Sequence, residues 1–254
     1  MKKLVIAEKP SVGREIAKNL LAYERSQGFL EGNDWIVTWA LGHLVELAEP
    51  AHYSERYKRW SLKDLPMLPE NLDQEVIEES KEQFDVIAGL LGRSDVSSVV
   101  IATDAGREGE LVARWILKKA GYEGPLERLW ISSQTEKAIK EGFENLKPAS
   151  LYDDLYHAAE CRAAADWYVG MNVTRALTCF YDAKLSAGRV QTPTLALMTE
   201  REDEIDSFLG RFYYSARADF SIFSASYYPE ENSIRFQDEK LAEEFASWHG
   251  KTGR

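Results

Sequence analysis

Short apolar runs bounded by polar residues recur along the first part of the chain, each followed by a stretch with helical spacing. Leu4, Val5, Ile6 and Ala7 form one such run, of the length and continuity of a strand buried on both faces. It predicts a strand over residues 3–8 and a helix over 11–21, with Ser11 as N-cap. A second strand is predicted over 35–40, closed by Leu41, Gly42, His43 and Leu44. Residues 48–71 hold Pro50, Pro66 and Pro69 among aromatics and charges, which predicts an irregular connection. Val76, Ile77, Phe84, Ile87 and Leu91 fall on one helical face, so a single helix is predicted over 74–91, ending at Gly92. A strand over 96–103, a helix over 108–120, a strand over 126–131 and a helix over 132–146 continue the alternation. Strands alternating with helices predict an α/β fold with a mostly parallel sheet and flanking helices.

Past Pro148 the pattern changes. Residues 151–181 read as helical throughout, and a second helical block over 189–207 follows the breaker Leu185, Ser186, Ala187, Gly188. Residues 211–220 and 222–228 predict two β-rich runs, and the remaining charged stretch shows no clear pattern. The chain thus divides into an α/β part over 1–149, a helical part over 150–209 and a β-rich part over 210–254.

Composition narrows the function. With 254 residues and 44% hydrophobic content the chain can build ordinary cores. A net charge of -11 argues against broad attraction to polyanions, so any nucleic-acid site must be local. Cys161 and Cys179 form no C-x-x-C pair, which disfavours a structural zinc site or a disulfide framework and suits a reduced cytoplasm. No apolar run is long enough for a signal peptide or a membrane span. No P-loop motif occurs, so no ATP is expected.

Two predicted strands end in acids. Glu8, followed by Lys9, Pro10 and Ser11, ends the first; Asp104, Arg107, Glu108 and Glu110 follow the strand over 96–103. Carboxylates gathered at the carboxyl ends of strands suit Mg²⁺, and those ends are where ligands bind in open α/β sheets. In the helical part, Arg162 and Asp166 lie one turn apart on one face. In Ser186, Ala187, Gly188, Arg189, Gln191, Thr192 and Pro193, small residues let the backbone approach a phosphate, Arg189 adds charge, and a helix N-terminus favours anions.

Taken together, Glu8-Lys9-Pro10-Ser11, Gly42-His43-Leu44, Asp104-x-x-Arg107-Glu108-Gly109-Glu110 and Ser186-Ala187-Gly188-Arg189-x-Gln191-Thr192-Pro193 resemble the motifs of the type IA DNA topoisomerases, most of all topoisomerase III members. The resemblance covers most of residues 1 to about 205, in family order. It implies a Toprim domain over 1–149, a helical DNA-groove domain over 150–209 and the truncated start of a β-rich gate domain over 210–254. Implied too is a change of DNA topology by single-strand cleavage through a 5′-phosphotyrosine, with Mg²⁺ and without ATP, on DNA that is chiefly single-stranded. By resemblance, Glu8 serves proton transfer or the metal, Asp104 is a metal ligand, Glu108 is a second metal or supporting acid, and Lys9 meets the scissile phosphate. His43, Arg162, Asp166, Ser186, Gly188, Arg189, Gln191 and Thr192 fall at DNA-facing positions.

Two departures stand out. Where the family shows Asp-x-Asp-x-Glu, the middle acid here is Gly106. The nucleophile's Tyr-x-Arg motif, which the family carries well downstream of the Gln-Thr-Pro helix, is also absent there: Tyr213, Tyr214, Tyr227 and Tyr228 stand in other contexts, and Arg217 follows Tyr214 by three residues rather than two. An N-terminal piece of a longer enzyme, inactive alone, is the expectation. Another Toprim enzyme of primase or nuclease type, or a non-catalytic DNA- or partner-binding module, remains as an alternative.

Overall fold

The alternation becomes a seven-stranded sheet in the computed structural model, which describes residues 1–210, 212–228, 235–236 and 238–252. Strand β1 (Lys2–Ala7) leads into α1 (Pro10–Asn19), where a proline opens the helix at a position whose N–H would be unpaired anyway. Strands β2 (Glu24–Ser26) and β3 (Phe29–Glu31) form a hairpin whose turn carries Gly28 at φ +79. Strand β4 (Trp35–Trp39) then lies parallel to β1. Strand β5 (Val45–Leu47), the one-turn helix α2 (Pro50–Tyr53), β6 (Gln74–Val76) and α3 (Lys81–Leu91) follow. Strand β7 (Val96–Ala102), α4 (Arg107–Lys119), β8 (Leu126–Arg128), α5 (Glu136–Glu144) and β9 (Lys147–Pro148) complete the sheet and its cover.

The strand order is β2-β3-β4-β1-β7-β8-β9, with β4, β1, β7 and β8 mutually parallel and antiparallel pairs at both margins. Alternate residues of the central strands enter two separate cores, as a pleat buried on both faces requires. Leu4, Ile6, Ile36, Val99 and Ile101 pack with α3 and α4 on one face; Val5, Ala7, Val37, Val100 and Ala102 pack with α1 and α5 on the other. Because β1 has β4 on one side and β7 on the other, the order reverses between β1 and β7, which is where α/β sheets bind ligands.

Residues 74–91 do not form the single helix that the periodicity predicts. Gln74–Val76 pairs antiparallel with Val45–Leu47, the Ile77 amide donates to the Leu44 carbonyl (2.9 Å), and the helix starts only at Lys81. Backbone pairing with a distant segment overrides a short apolar periodicity here.

Helix α6 (Asp153–Tyr181) packs on α4 and ends at Asp182 in the left-handed region (φ 49). Helix α7 (Gln191–Asp206) follows. Contacts divide the chain into two compact units, 1–192 and 193–254. In the second, β10 (Arg217–Asp219) and β11 (Ser224–Ser226) form an antiparallel hairpin, and α8 (Glu239–Thr252) occupies the stretch that showed no sequence pattern. Arg211, at the head of the first predicted β-rich run, and residues 229–234 of the predicted β-rich part lie outside the described residues. Among the described residues, no helix is long and apolar enough to cross a membrane.

Candidate functional site

Glu8 and Asp104 stand at the carboxyl ends of β1 and β7, on either side of the point where the strand order reverses. The Glu8 carboxylate (Oε2) accepts the backbone N–H of Asp104 at 3.0 Å, tying the two strand ends together. Lys9 is the N-cap residue of α1 and is exposed beside this corner in the chain. The Gly42 amide donates to the Glu8 carbonyl at 3.4 Å, which brings the His43 loop to the same edge.

The third acid turns elsewhere. Glu108 accepts from Arg162 Nη1 of α6 at 2.9 Å; Arg162 Nε lies 3.7 Å from Asp166, and Asp166 pairs with Arg189 Nη1 at 3.0 Å. A row of alternating charges therefore runs from α4 across α6 to the loop before α7. His43, Glu108, Arg162 and Asp166 line a cleft of about 450 Å³ together with Leu111, Trp115 and Trp167. A second cleft of about 410 Å³, lined by Asp104, Ser132, Ser133 and Gln134, opens at the ends of β7 and β8. Among the described residues, no three Asp, Glu, His or Cys side chains converge closely enough to hold a metal ion.

Arg128, which no sequence motif marked, holds the acidic loop from beneath. It and Glu110 are both 0% exposed and pair at 2.5 Å (Nε to Oε1), and Arg114 reaches the other Glu110 oxygen at 3.3 Å. Arg128 also donates to the carbonyls of Thr103 (2.8 Å), Leu129 (2.6 Å) and Asp104 (2.7 Å). Burial pushes its guanidinium below the ordinary value, and the charge of Glu110 opposes that. The only hint in the sequence was an arginine inside the predicted strand over 126–131, which looks the same whether the side chain is buried or solvated.

Of the two glycines in the turn, Gly109 is required and Gly106 is not. A Cβ on Gly109 would stand 2.0 Å from the Asp104 carbonyl oxygen, so only glycine lets α4 start this close to the strand end. The Thr103 hydroxyl donates to the Gly109 carbonyl at 2.7 Å and closes the turn. Gly106, the N-cap of α4, has φ -179 and ψ 175, extended geometry open to any residue, and a Cβ there would meet nothing within 4 Å.

On the helical side, the Gly188 amide donates to Thr192 Oγ1 (3.1 Å), the Thr192 amide to the Gly188 carbonyl (3.1 Å), and Gln191 Nε2 to Ser186 Oγ (3.1 Å). Ser186, Gly188, Arg189, Gln191 and Thr192 are thus gathered at the start of α7, and Arg189 joins them to Asp166.

A mostly parallel sheet with carboxylates at its reversal point, beside a charged helical face, agrees with a Toprim-type architecture, and the chain belongs to the Toprim domain family, whose model matches residues 3–133. A second family model, DNA topoisomerase, matches residues 150–252. The chain is a type IA topoisomerase relative that resembles topoisomerase III. DNA topoisomerase 3 of Bacillus anthracis is 56% identical over 217 residues, 85% of this chain and 30% of that protein. DNA topoisomerase 3 of Shouchella clausii is 57% identical over 214 residues, 84% of this chain and 29% of that protein. The chain spans about 30% of the length of these curated relatives. Full-length topoisomerase I from Thermotoga maritima shares the fold, with a TM-score of 0.59 and 22% identity over 96% of this chain and 37% of that one.

Proposed function

We propose that these residues form the acidic half of a type IA topoisomerase site and part of the groove that guides a single DNA strand to it. The observation that carries this reading is the row Glu108, Arg162, Asp166 and Arg189, which runs from the first turn of α4, just after the Asp104 strand end, to the loop before α7 within one compact unit. The whole protein would change DNA topology through a 5′-phosphotyrosine, without ATP, in the cytoplasm. Since no tyrosine downstream of Gln191-Thr192-Pro193 stands in a Tyr-x-Arg context, the chain alone should not cleave DNA.

Two carboxylates at neighbouring strand ends suit Mg²⁺, which takes one or two protein carboxylates and keeps several waters. Glu8 and Asp104 would hold it, with Glu108 nearby in sequence but engaged by Arg162. Bound there, the ion would neutralise phosphate charge. Lys9 would offset charge on the scissile phosphate, and Glu8 would hold or pass a proton near the leaving oxygen. Arg189, with Ser186, Gly188, Gln191 and Thr192, would bind the backbone of the strand, and His43, Arg162 and Asp166 would line its path.

Titration with a fluorescent single-stranded oligonucleotide tests this. Affinity should exceed that for duplex and fall with salt, and Arg189→Ala should weaken it by about 1–3 kcal/mol, the scale of a charge-assisted hydrogen bond. Equal affinity for both DNA forms, untouched by Arg189→Ala, would overturn the reading.

A further inference from the structure

One face of α6 reads the loop before α7 rung by rung. Asp166, Thr174 and Thr178 are spaced by eight and four residues, and so recur on one side of a helix. Thr178 Oγ1 donates to the Leu185 carbonyl at 2.8 Å and accepts the Leu185 amide at 3.3 Å. Thr174 Oγ1 does the same for Ala187, donating at 3.1 Å and accepting at 3.0 Å. Asp166 takes Arg189 at 3.0 Å. Residues 185, 187 and 189 therefore bind α6 in antiparallel order, while Ser186 and Gly188 between them are held by Gln191 and Thr192 of α7.

Threonine inside a helix ordinarily gives its hydroxyl proton to the carbonyl one turn back. Both hydroxyls here give it to the loop instead, and each satisfies both backbone groups of a single loop residue. That pairing copies the exchange of two bonds between residues of neighbouring antiparallel strands. A loop with small side chains has little apolar surface to fix its path, so these four bonds set where its backbone lies and hence where Arg189 is presented.

We propose that Thr174 and Thr178 are positioning residues for DNA binding: they pin the backbone of residues 185–187 so that Ser186, Gly188 and Arg189 face a strand's phosphates. The inference rests on the function proposed above. Neither threonine need touch DNA. Valine keeps the shape and removes the hydroxyl, whereas serine keeps the hydroxyl, so the two substitutions separate packing from hydrogen bonding.

The test is a double-mutant cycle on this chain, read by oligonucleotide titration, with amide hydrogen exchange and thermal melting on each variant. T174V and T178V together should speed exchange at Leu185 and Ala187, leave the melting temperature nearly unchanged, and weaken single-strand affinity by roughly 3- to 30-fold. T174S with T178S should restore both. In the Arg189→Ala background the valine changes should cost little further affinity, because what they position is gone. Wild-type affinity in the valine variant, or an equal loss in both backgrounds, overturns the proposal. If Arg189→Ala itself leaves affinity unchanged, the loop positions nothing for DNA and the proposal falls with that part of the function. The exchange arm identifies that case, because protection at Leu185 and Ala187 would still respond to the hydroxyls.

Discussion

Gly106 and Gly109 stand three residues apart at the start of α4 under opposite constraints. Gly109→Ala places a methyl group against the Asp104 carbonyl, a backbone atom that cannot swing aside, so it should destabilise the chain by at least about 2 kcal/mol in denaturant melts. Gly106→Asp meets no atom and needs no unusual backbone angle, so the variant should melt at or slightly above the wild-type temperature, as aspartate is a good N-cap. The new carboxylate would join Glu8 and Asp104, and Mg²⁺ binding in calorimetry should tighten by roughly 3- to 10-fold. A stably folded variant with unaltered Mg²⁺ affinity would show that the loop does not address the metal. The sequence could place Asp104 at a strand end but could not say which glycine was obligatory, because backbone angle and close approach are properties of the folded turn.

At the scale of elements, buried and surface ion networks hold the sheet in different ways. Arg128→Met should destabilise by about 3–5 kcal/mol, since it strands the charge of Glu110 in the core, and adding Glu110→Leu should recover much of that loss in the same melts. At the opposite margin, Arg93 bonds both Glu31 and Asp95. It holds the Glu31 carboxyl below the usual range and lowers Asp95 from 3.8 to about 2. Stability from depressed carboxyls is present above their ordinary values and is lost as pH falls towards 2. Arg93→Gln should therefore lower the melting temperature more at pH 7 than at pH 2, and an equal shift at both would refute the linkage. The parallel strands and their helices were legible in the sequence because each buried strand is a continuous apolar run. The β2–β3 hairpin, β6 and the Arg128–Glu110 pair were not, because β2 is polar and exposed, β6 is three residues long, and burial of a charged pair depends on partners far along the chain. The four motifs that mark the candidate site were legible as residue types, but not the turn of Glu108 toward Arg162, which needs α6 packed beside α4.

Over the whole molecule, a net charge of -11 leaves little general attraction for DNA, so the proposed binding would rest on a few cations, Lys9, Arg162 and Arg189, set among acids. Two of the three are already paired with carboxylates, Arg162 with Glu108 and Arg189 with Asp166. A bound strand must compete for them, while a metal at the strand-end acids would favour the same phosphates. Metal and strand should therefore support one another, and a coupling between two ligands is reciprocal in free energy. Calorimetric Mg²⁺ titration with and without a saturating short single-stranded oligonucleotide measures that coupling directly. The account predicts weak Mg²⁺ binding alone, tightened about 5- to 100-fold by the oligonucleotide, with an equal effect of Mg²⁺ on oligonucleotide affinity. Identical Mg²⁺ affinity with and without DNA would contradict it.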